Sequence, residues 1–594
     1  MCLTRPSFGP QCLPLLAMIG VLVGEDRPVA AADATADPCA GASLISVLTF
    51  GAVPNDGQDD GPAVRAAVAA CRKARRPCLI FPPGAYHFRA QSAKSDALVE
   101  FSGLREITVR GEKATLIGNS HKTLFRFENC GEVTVSGFEV DWDPLPFTAG
   151  RVVAARDDSI DIEIVPPHPL RGDEPVQSLI AFDPEQRIPL AASHPHYYQL
   201  TQKAYTKKAE VVGANLLRIY ITSRPETLRS RKQQRIPAVG SFVLALYRVR
   251  GGSAFRPFGC GSVRFENVSV FAVLGMGFAA NTCDRVDLHN CRVAIKPGSG
   301  RWMSSTVDAT HCNMVRQYVE YTDCLFEGMG DDAINVHGMY SMVHERPDDR
   351  TIIMRGWKSI FDTPNLTDDF SAPARNSLRA GETLEFGTRA NPLVPVFSAT
   401  IVESTPVEVR GVSLKRVLLD RDLPAEVQAG SIVADVAEIP VCRIRNCTFR
   451  GGRGCGVRLK TRDAVIENCT FDRIHGAGIW ITCDADVDHE SIAARDVTIR
   501  NNVFRHISPA ISASAGRKQM YADVHEGLLI ADNRIEAAPR SGIMIRSTKG
   551  AVIRGNTIAC AAAEPIEVRL SSDVRLQDNS VVPWIPPAKS DTKP

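Results

Sequence analysis

The sequence predicts an all-β chain: a right-handed parallel β-helix with two inserted small antiparallel β (barrel-like) modules. Three observations lead there. Short strand–turn units recur with Asn or Asp at the turn; Asn267 and Asn290 are 23 residues apart, as are Gly555 and Asp578, and Asn446 and Asn468 are 22 apart. Each unit alternates apolar and polar side chains and then turns, as in Ile444-Arg-Asn-Cys-Thr-Phe449 and Ile466-Glu-Asn-Cys-Thr-Phe471, the period-two pattern of strands with one buried face. Two stretches rich in proline and charge break the series.

A single such strand cannot bury its apolar face, whereas stacked turns bury a continuous core. A period of 22 to 23 residues without a helical pattern, and without the leucine spacing of leucine-rich repeats, selects the β-helix. Two steps are longer, 33 residues from Asn468 to Asn501 and 31 from Asn501 to Asp532, and are expected to carry loops on one face.

The 594 residues exceed what one ordinary core holds. Residues 1–32 read as an export signal: Arg5 precedes the apolar run Leu13 to Val23, and Pro28 to Ala32 resembles a small-residue cleavage site. The run is too short for stable membrane insertion, so an exported protein, periplasmic or secreted, is expected. Residues 40–142 form the N-terminal cap and first turns, with an amphipathic helix from Ala63 to Lys73 shielding the open sheet edge. The acidic turn Asp56 to Asp60 lacks the EF-hand pattern and reads as a helix-capping turn.

Residues 143–250 are the first inserted module, with Leu217 to Ile221 as a strand. Residues 251–356 return to the coil. Residues 357–440 are the second module, with candidate strands Arg416 to Asp420 and Ser431 to Asp435. Residues 441–582 complete the coil and 583–594 are a tail. The modules are expected to form a pocket rim or a subunit contact, the latter in a homodimer.

Sixty-nine Lys and Arg against 67 Asp and Glu leave a formal charge of +2, which points to no nucleic-acid partner. The basic cluster Arg229 to Arg235 has no interleaved aromatics and reads as a solvated loop. Of 17 cysteines, Cys291, Cys324, Cys447 and Cys469 hold the same place in four repeats and are expected to stack inward as a reduced ladder. No CxxC pairs recur with zinc spacing, so no metal cluster is expected. Cys71 and Cys78 either bridge one another or pair with Cys39.

The chemistry concentrates in Asp308-Ala-Thr-His311 and Gly328-Met-Gly-Asp-Asp-Ala-Ile-Asn-Val-His-Gly338. Asp308 and Asp331 are 23 residues apart, one coil period, so Asp308, Asp331 and Asp332 are expected to converge. Adjacent carboxylates repel, which raises one pKa and suits a proton donor while another stays ionised as base. The competing reading is a turn pair capping backbone amides. His311, Asn335 and His337 would hydrogen-bond sugar hydroxyls or the carboxylates, or form a structural polar ladder. Arg458 and Lys460 alternate onto one strand face, either as ligands for hydroxyls or as a solvated face. Trp480 is a sugar platform or a packing residue. Glu490 is a site residue or a solvated loop carboxylate.

These aspartate motifs, with Gly476-Ala-Gly-Ile-Trp480 and the run from Asp484 through Glu490 to Phe504, resemble glycoside hydrolase family 110, the exo-acting α-1,3-galactosidases. The N-terminal cap resembles that of the pectate-lyase-like β-helix superfamily. The resemblance implies hydrolysis of terminal α-1,3-linked galactose on blood-group-B-type or linear glycans, with inversion, no cofactor and no metal. It implies Asp308, Asp331 and Asp332 as the catalytic set. By analogy with polygalacturonases, Asp331 would be the acid, and Asp308 with Asp332 would hold the water. Two rivals remain. Arg458-Leu-Lys460 also resembles the polygalacturonase pattern, which would mean a uronate polymer. A non-enzymatic carbohydrate-binding β-helix would need no clustered aspartates.

Overall fold

One ladder of parallel strands runs through the molecule. In the computed structural model the described residues are 39–584, except 94, 191–198, 201–205, 222–236, 357–377 and 410. The expected export signal, the Arg229–Arg235 cluster and all but two residues of the tail lie outside them. The ladder passes from Ser43–Ser46 to Pro77–Phe81, Glu106–Gly118 and Glu132–Trp142. It continues through Ser262–Glu266, Arg285–His289 and Tyr318–Thr322. It then jumps to Val441–Arg445 and runs to Arg575–Gln577. The chain is therefore a right-handed parallel β-helix.

The repeated Asn has a backbone cause. Asn267, Asn290, Asp323, Asn446, Asn468, Asn501, Asp532 and Asp578 all have φ between 49° and 57°. This is the left-handed region that Asn and Asp tolerate better than other side chains with a Cβ, and Gly555 fills the same place at 65°. The residue after each turn points inward. Cys291, Cys324, Cys447 and Cys469 are buried free thiols there, matching the expected ladder. From the next coil the position changes to Asn502, Asn533, Asn556 and Asn579, whose amides bond from coil to coil. Two residues further on, Phe326, Phe449, Phe471 and Phe504 stack with centroids 4.4 to 5.4 Å apart.

The cap helix spans Gly61–Cys71. Its acidic turn works differently from a side-chain N-cap. Asp60 accepts the N–H groups of Val53 and His87, and Asp59 those of Gly61 and Arg89. These carboxylates tie the helix start to the end of the strand Gly84–Phe88. Cys39 pairs with Cys78, and Cys71 stays free.

The first insertion is an antiparallel sheet of eight strands between Phe147–Ala155 and Phe242–Leu246, with its own core around Val152, Ile162, Leu217 and Val243. The second begins earlier than the expected residue 357. Ile334–Glu345 starts as a coil strand and continues outward without a turn, so that Tyr340 to Met342 pair antiparallel with Ile432 to Ala434. Thr351–Arg355 belongs to this module as well. Gly338 marks the exit and no turn residue follows it before Glu345, so the repeat pattern shows no break there. Among the described residues no helix is long and apolar enough to cross a membrane.

Candidate active site

The site lies on the outer face of a second parallel sheet, formed by Thr310–Asn313, Ile334–Glu345, Val457–Leu459 and Ile479–Cys483. In register, His311 sits beside Asn335, Asn335 beside Arg458, and Arg458 beside Trp480. His337 is one pleat further on, and Lys460 follows on the next coil, its N–H donating to Val336. Alternation of side chains along each strand places these residues on one face.

The carboxylates precede these strands. The step between coils here is 24 residues, Thr310 to Ile334, so Asp308 is stacked with Asp332 rather than with Asp331 as the 23-residue spacing suggested. The backbone N–H of Asp332 donates to Asp308 Oδ1 at 3.1 Å, and the N–H of Cys455 on the following coil donates to Asp332 Oδ1 at 2.7 Å. Asp331 turns outward, with its side chain 43% exposed and Arg453 at 3.4 Å. One carboxylate oxygen from each aspartate lies within 4.8 Å of the other two. Glycine makes this stacking possible: a Cβ on Gly454 would stand 2.4 Å from the Asp331 carbonyl carbon and 2.6 Å from Asp332 Oδ1.

Burial is the leading reason that all three carboxyl groups titrate above the ordinary carboxylate range. At Asp331 the charge of Asp308 adds to the rise, while Arg453, Arg458 and Arg250 oppose it. At Asp332 the charge of Asp331 adds to it. At Asp308 the hydrogen bond from His311 opposes it.

Behind the carboxylates lies a histidine pair. His311 Nδ1 is 2.6 Å from Asp308 Oδ2, His311 Nε2 is 2.9 Å from His337 Nε2, and His337 Nδ1 donates to the carbonyl of Gly338 at 2.7 Å. Burial lowers the His337 pKa to about 3. Burial also depresses His311, but Asp308 outweighs it and leaves the pKa above the usual imidazole value.

Glu490 is buried, not solvated, with Lys460 Nζ at 2.6 Å and Arg458 at 3.5 Å. Burial alone would raise its carboxyl; the facing cations Lys460 and Arg458 outweigh that and hold it well below the usual range. Lys460 also donates to Asn335 Oδ1 at 2.8 Å. Burial pushes the ammonium pKa down, opposed by Glu490. Arg458 bonds Asp488 at 2.7 Å and lies over the Trp480 ring, which also carries Arg517. The indole, its Nε1 donating to Ser514, thus orders two guanidinium groups in the wall of the site.

Two groups of side chains have the composition of a metal site: His311, His337 and Glu490, and the three aspartates. In the first, the Lys460 ammonium and the Arg458 guanidinium already balance Glu490.

Several contributors escaped sequence reasoning. Arg453 and Gly454 meet Asp331 and Asp332 across a step of 123 residues that spans the second module. Asp484 Oδ1 accepts three N–H groups of its own loop, and Asp486 ties that loop to Arg517 and Lys518. The first module adds a wall: Ser178, Ile180, Leu246 and Arg250 border a cavity of about 30 Å³ with Asp331 and Arg453. Of these, only the 484–490 loop had a signal in the sequence, in the extra length of that repeat and in the run from Asp484 through Glu490.

Fold and site together define a right-handed parallel β-helix with a carboxylate cluster on one outer sheet face, and a family model described as "Right handed beta helix region" matches residues 432–583. The resemblance read from the motifs extends over most of the chain. It is 26% identical to Alpha-1,3-galactosidase A of Shewanella woodyi, covering 91% of both chains. It is 24% identical to Alpha-1,3-galactosidase B of Bacteroides thetaiotaomicron, covering 87% of this chain and 86% of that one. Among solved structures, a hyperthermoactive exopolygalacturonase from Thermotoga maritima has a TM-score of 0.42 at 10% identity, covering 91% of this chain and 92% of that one.

Proposed function

We propose that this protein is an exo-acting glycoside hydrolase that removes terminal α-1,3-linked galactose from glycans. The observation that carries the reading is the convergence of Asp308, Asp331 and Asp332 on one sheet face, in a chain similar over nine tenths of its length to α-1,3-galactosidases. Glycosidic cleavage needs a proton for the leaving oxygen and a second carboxylate for the anomeric carbon or its water. Asp331 is the proton donor: it is the exposed member and its pKa is raised. Asp308 and Asp332 hold the water. Both oxygens of Asp308 already receive hydrogen bonds, from His311 and from the Asp332 N–H, which favours the ionised form needed in a base.

Inversion rests on the motif resemblance. The carboxylate oxygens lie within 4.8 Å of each other, closer than the roughly 6.5–9.5 Å usual for inverting enzymes. Stereochemistry is therefore the point to measure. Export is proposed from the N-terminal pattern, and the Cys39–Cys78 disulfide supports an oxidising compartment.

A uronate polymer fits less well. Arg458 and Lys460 are engaged by Asp488 and Glu490, so the pair offers little free positive charge to a polyanion. The test is galactose release from linear and fucose-branched α-1,3-galactosides, with proton NMR of the first-formed anomer, for the wild type and Asp331→Asn. β-Galactose from the wild type and none from the variant is the expected result. A folded wild type that releases no galactose overturns the reading.

A further inference from the structure

We infer that His337 is a positioning residue, whose Nε2 acts as a fixed acceptor that keeps His311 doubly protonated and so holds Asp308 as the ionised base. The inference rests on the role proposed above for Asp308. It starts from proton counting. A carbonyl oxygen only accepts, so the Gly338 carbonyl 2.7 Å from His337 Nδ1 places a hydrogen on that nitrogen. His337 is 2% exposed and is neutral at ordinary pH because burial penalises its charge. Its Nε2 then carries only a lone pair.

His311 Nε2 lies 2.9 Å away and must supply the hydrogen. The other nitrogen of His311 faces Asp308 Oδ2 at 2.6 Å, and the second oxygen of Asp308 accepts from the Asp332 N–H. The proton shared by Asp308 and His311 belongs on the imidazole, which is intrinsically the stronger base by about two to three pKa units. The result is a chain of donors running from His311 in two directions, to Asp308 and to His337.

The surrounding charges agree with one positive imidazole. Asp308 and Glu490 face the pair as acids and Lys460 as a cation; Glu490 Oε1 lies 3.5 Å from His337 Nε2, and its other oxygen is held by Lys460 at 2.6 Å. Both ring nitrogens of His311 are thereby used within the protein, and His337 has none left for a sugar. Of the roles expected for the two histidines (binding sugar hydroxyls, binding the carboxylates or forming a structural ladder), the hydrogen bonds favour the carboxylate role, in which the pair sets the protonation of the residue that activates water.

Linkage gives the sign. His311 has a raised pKa in the fold, so its charge is present at low pH and lost as pH rises through that value. Removing the acceptor at His337 removes one hydrogen bond to the charged form, which lowers the His311 pKa by ~1 unit. The imidazole titration of His311, followed by ring nitrogen NMR, should then move down by about one pH unit in His337→Phe. His337→Gln retains an acceptor oxygen and should keep the wild-type His311 titration, whatever its kcat.

The decisive experiment is neutron diffraction from deuterium-exchanged crystals at pH 7, with the His311 titrations of the two variants beside it. Deuterium on both nitrogens of His311, and on Nδ1 alone of His337, is expected. Deuterium on His337 Nε2, a single deuterium on His311, or a metal ion bridging the two Nε2 atoms overturns the inference. Identical His311 titrations in folded Phe and Gln variants overturn it as well. If the enzyme releases no galactose, the proposed function fails, but the deuterium positions still decide the histidine pairing.

Discussion

Asp332 stands one coil above Asp308, and its backbone N–H donates to Asp308 Oδ1 at 3.1 Å. Two carboxylates that would repel in water are thus held in line by the same ladder that builds the fold. The third, Asp331, is the preceding residue; its carboxylate stays within 4.8 Å of the other two but reaches toward Arg453 and solvent. Its exposure separates it chemically from the stacked pair.

Asp331→Asn should lower kcat by about a thousandfold, the middle of the range for a lost general acid. It should leave the melting temperature unchanged or raised. The raised pKa of Asp331 means that the fold disfavours its charged form, so the carboxylate costs stability as pH rises above its unfolded value. The neutral amide removes that cost, although partial exposure keeps the gain small. A clear drop in melting temperature would contradict the account of this residue.

Gly454→Ala should inactivate while leaving the coil folded. The added methyl would meet the backbone of Asp331 and Asp332 and the Asp332 carboxylate at 2.4 to 2.6 Å, and two of these three contacts are backbone that yields only by shifting the coil. A displacement of the order of 1 Å in a catalytic group costs about a hundredfold in rate. Near-normal kcat with a native circular dichroism spectrum would show that the stacking tolerates the methyl.

Lys460→Met should destabilise by roughly 3–5 kcal/mol, because it leaves Glu490 buried beside a lost partner. Lys460 has no exposed surface, and its Nζ is 2.6 Å from Glu490. Adding Glu490→Gln should recover part of the loss in urea unfolding. Glu490 has a depressed pKa, so its stabilisation is present above the unfolded glutamate value and lost as pH falls through the folded one. The Lys460→Met variant should therefore lose less additional stability on acidification than the wild type does.

The coil was legible because its turns demand a rare backbone conformation. Asn290, Asn446 and Asn468 recur where φ is positive, and that chemical need shows in any single repeat. The aspartate cluster was legible for a similar reason, since its three members lie within one coil step. Stacking order was not. A 23-residue spacing selected Asp331 as the partner of Asp308, but the local step is 24 and selects Asp332. One residue of slip changes which of the two adjacent aspartates stacks on Asp308. Arg453 and Gly454 were hidden for another reason: the second module stands between them and Asp331 in sequence, and no period survives that interruption. Trp480 read as either a sugar platform or a packing residue; the two guanidinium groups on its ring come from different coils and left no sign in the sequence.

The inward ladder changes chemistry along its length, and its stability should change with it. In the coils of Cys447 and Cys469 the rungs are thiols making long contacts of 3.2 to 3.7 Å. From Asn502 onward each amide donates to the next and accepts from the one before. Asn533 Oδ1 receives the N–H and the side-chain amide of Asn502, at 3.1 and 3.0 Å. Its own amide reaches Ile499 and Asn556 at 2.9 and 3.0 Å. Replacing Asn533 with Leu strands buried donors on Asn502 and the acceptor carbonyl of Ile499, each at about 1–3 kcal/mol, while Asn556 Oδ1 keeps the backbone N–H of residue 533. Cys447→Ala removes only weak sulfur contacts and a small volume, for about 1 kcal/mol. The urea midpoint should therefore fall several times further for Asn533→Leu than for Cys447→Ala. Equal shifts would mean that the asparagine ladder contributes packing and no net hydrogen bonding to the closing coils.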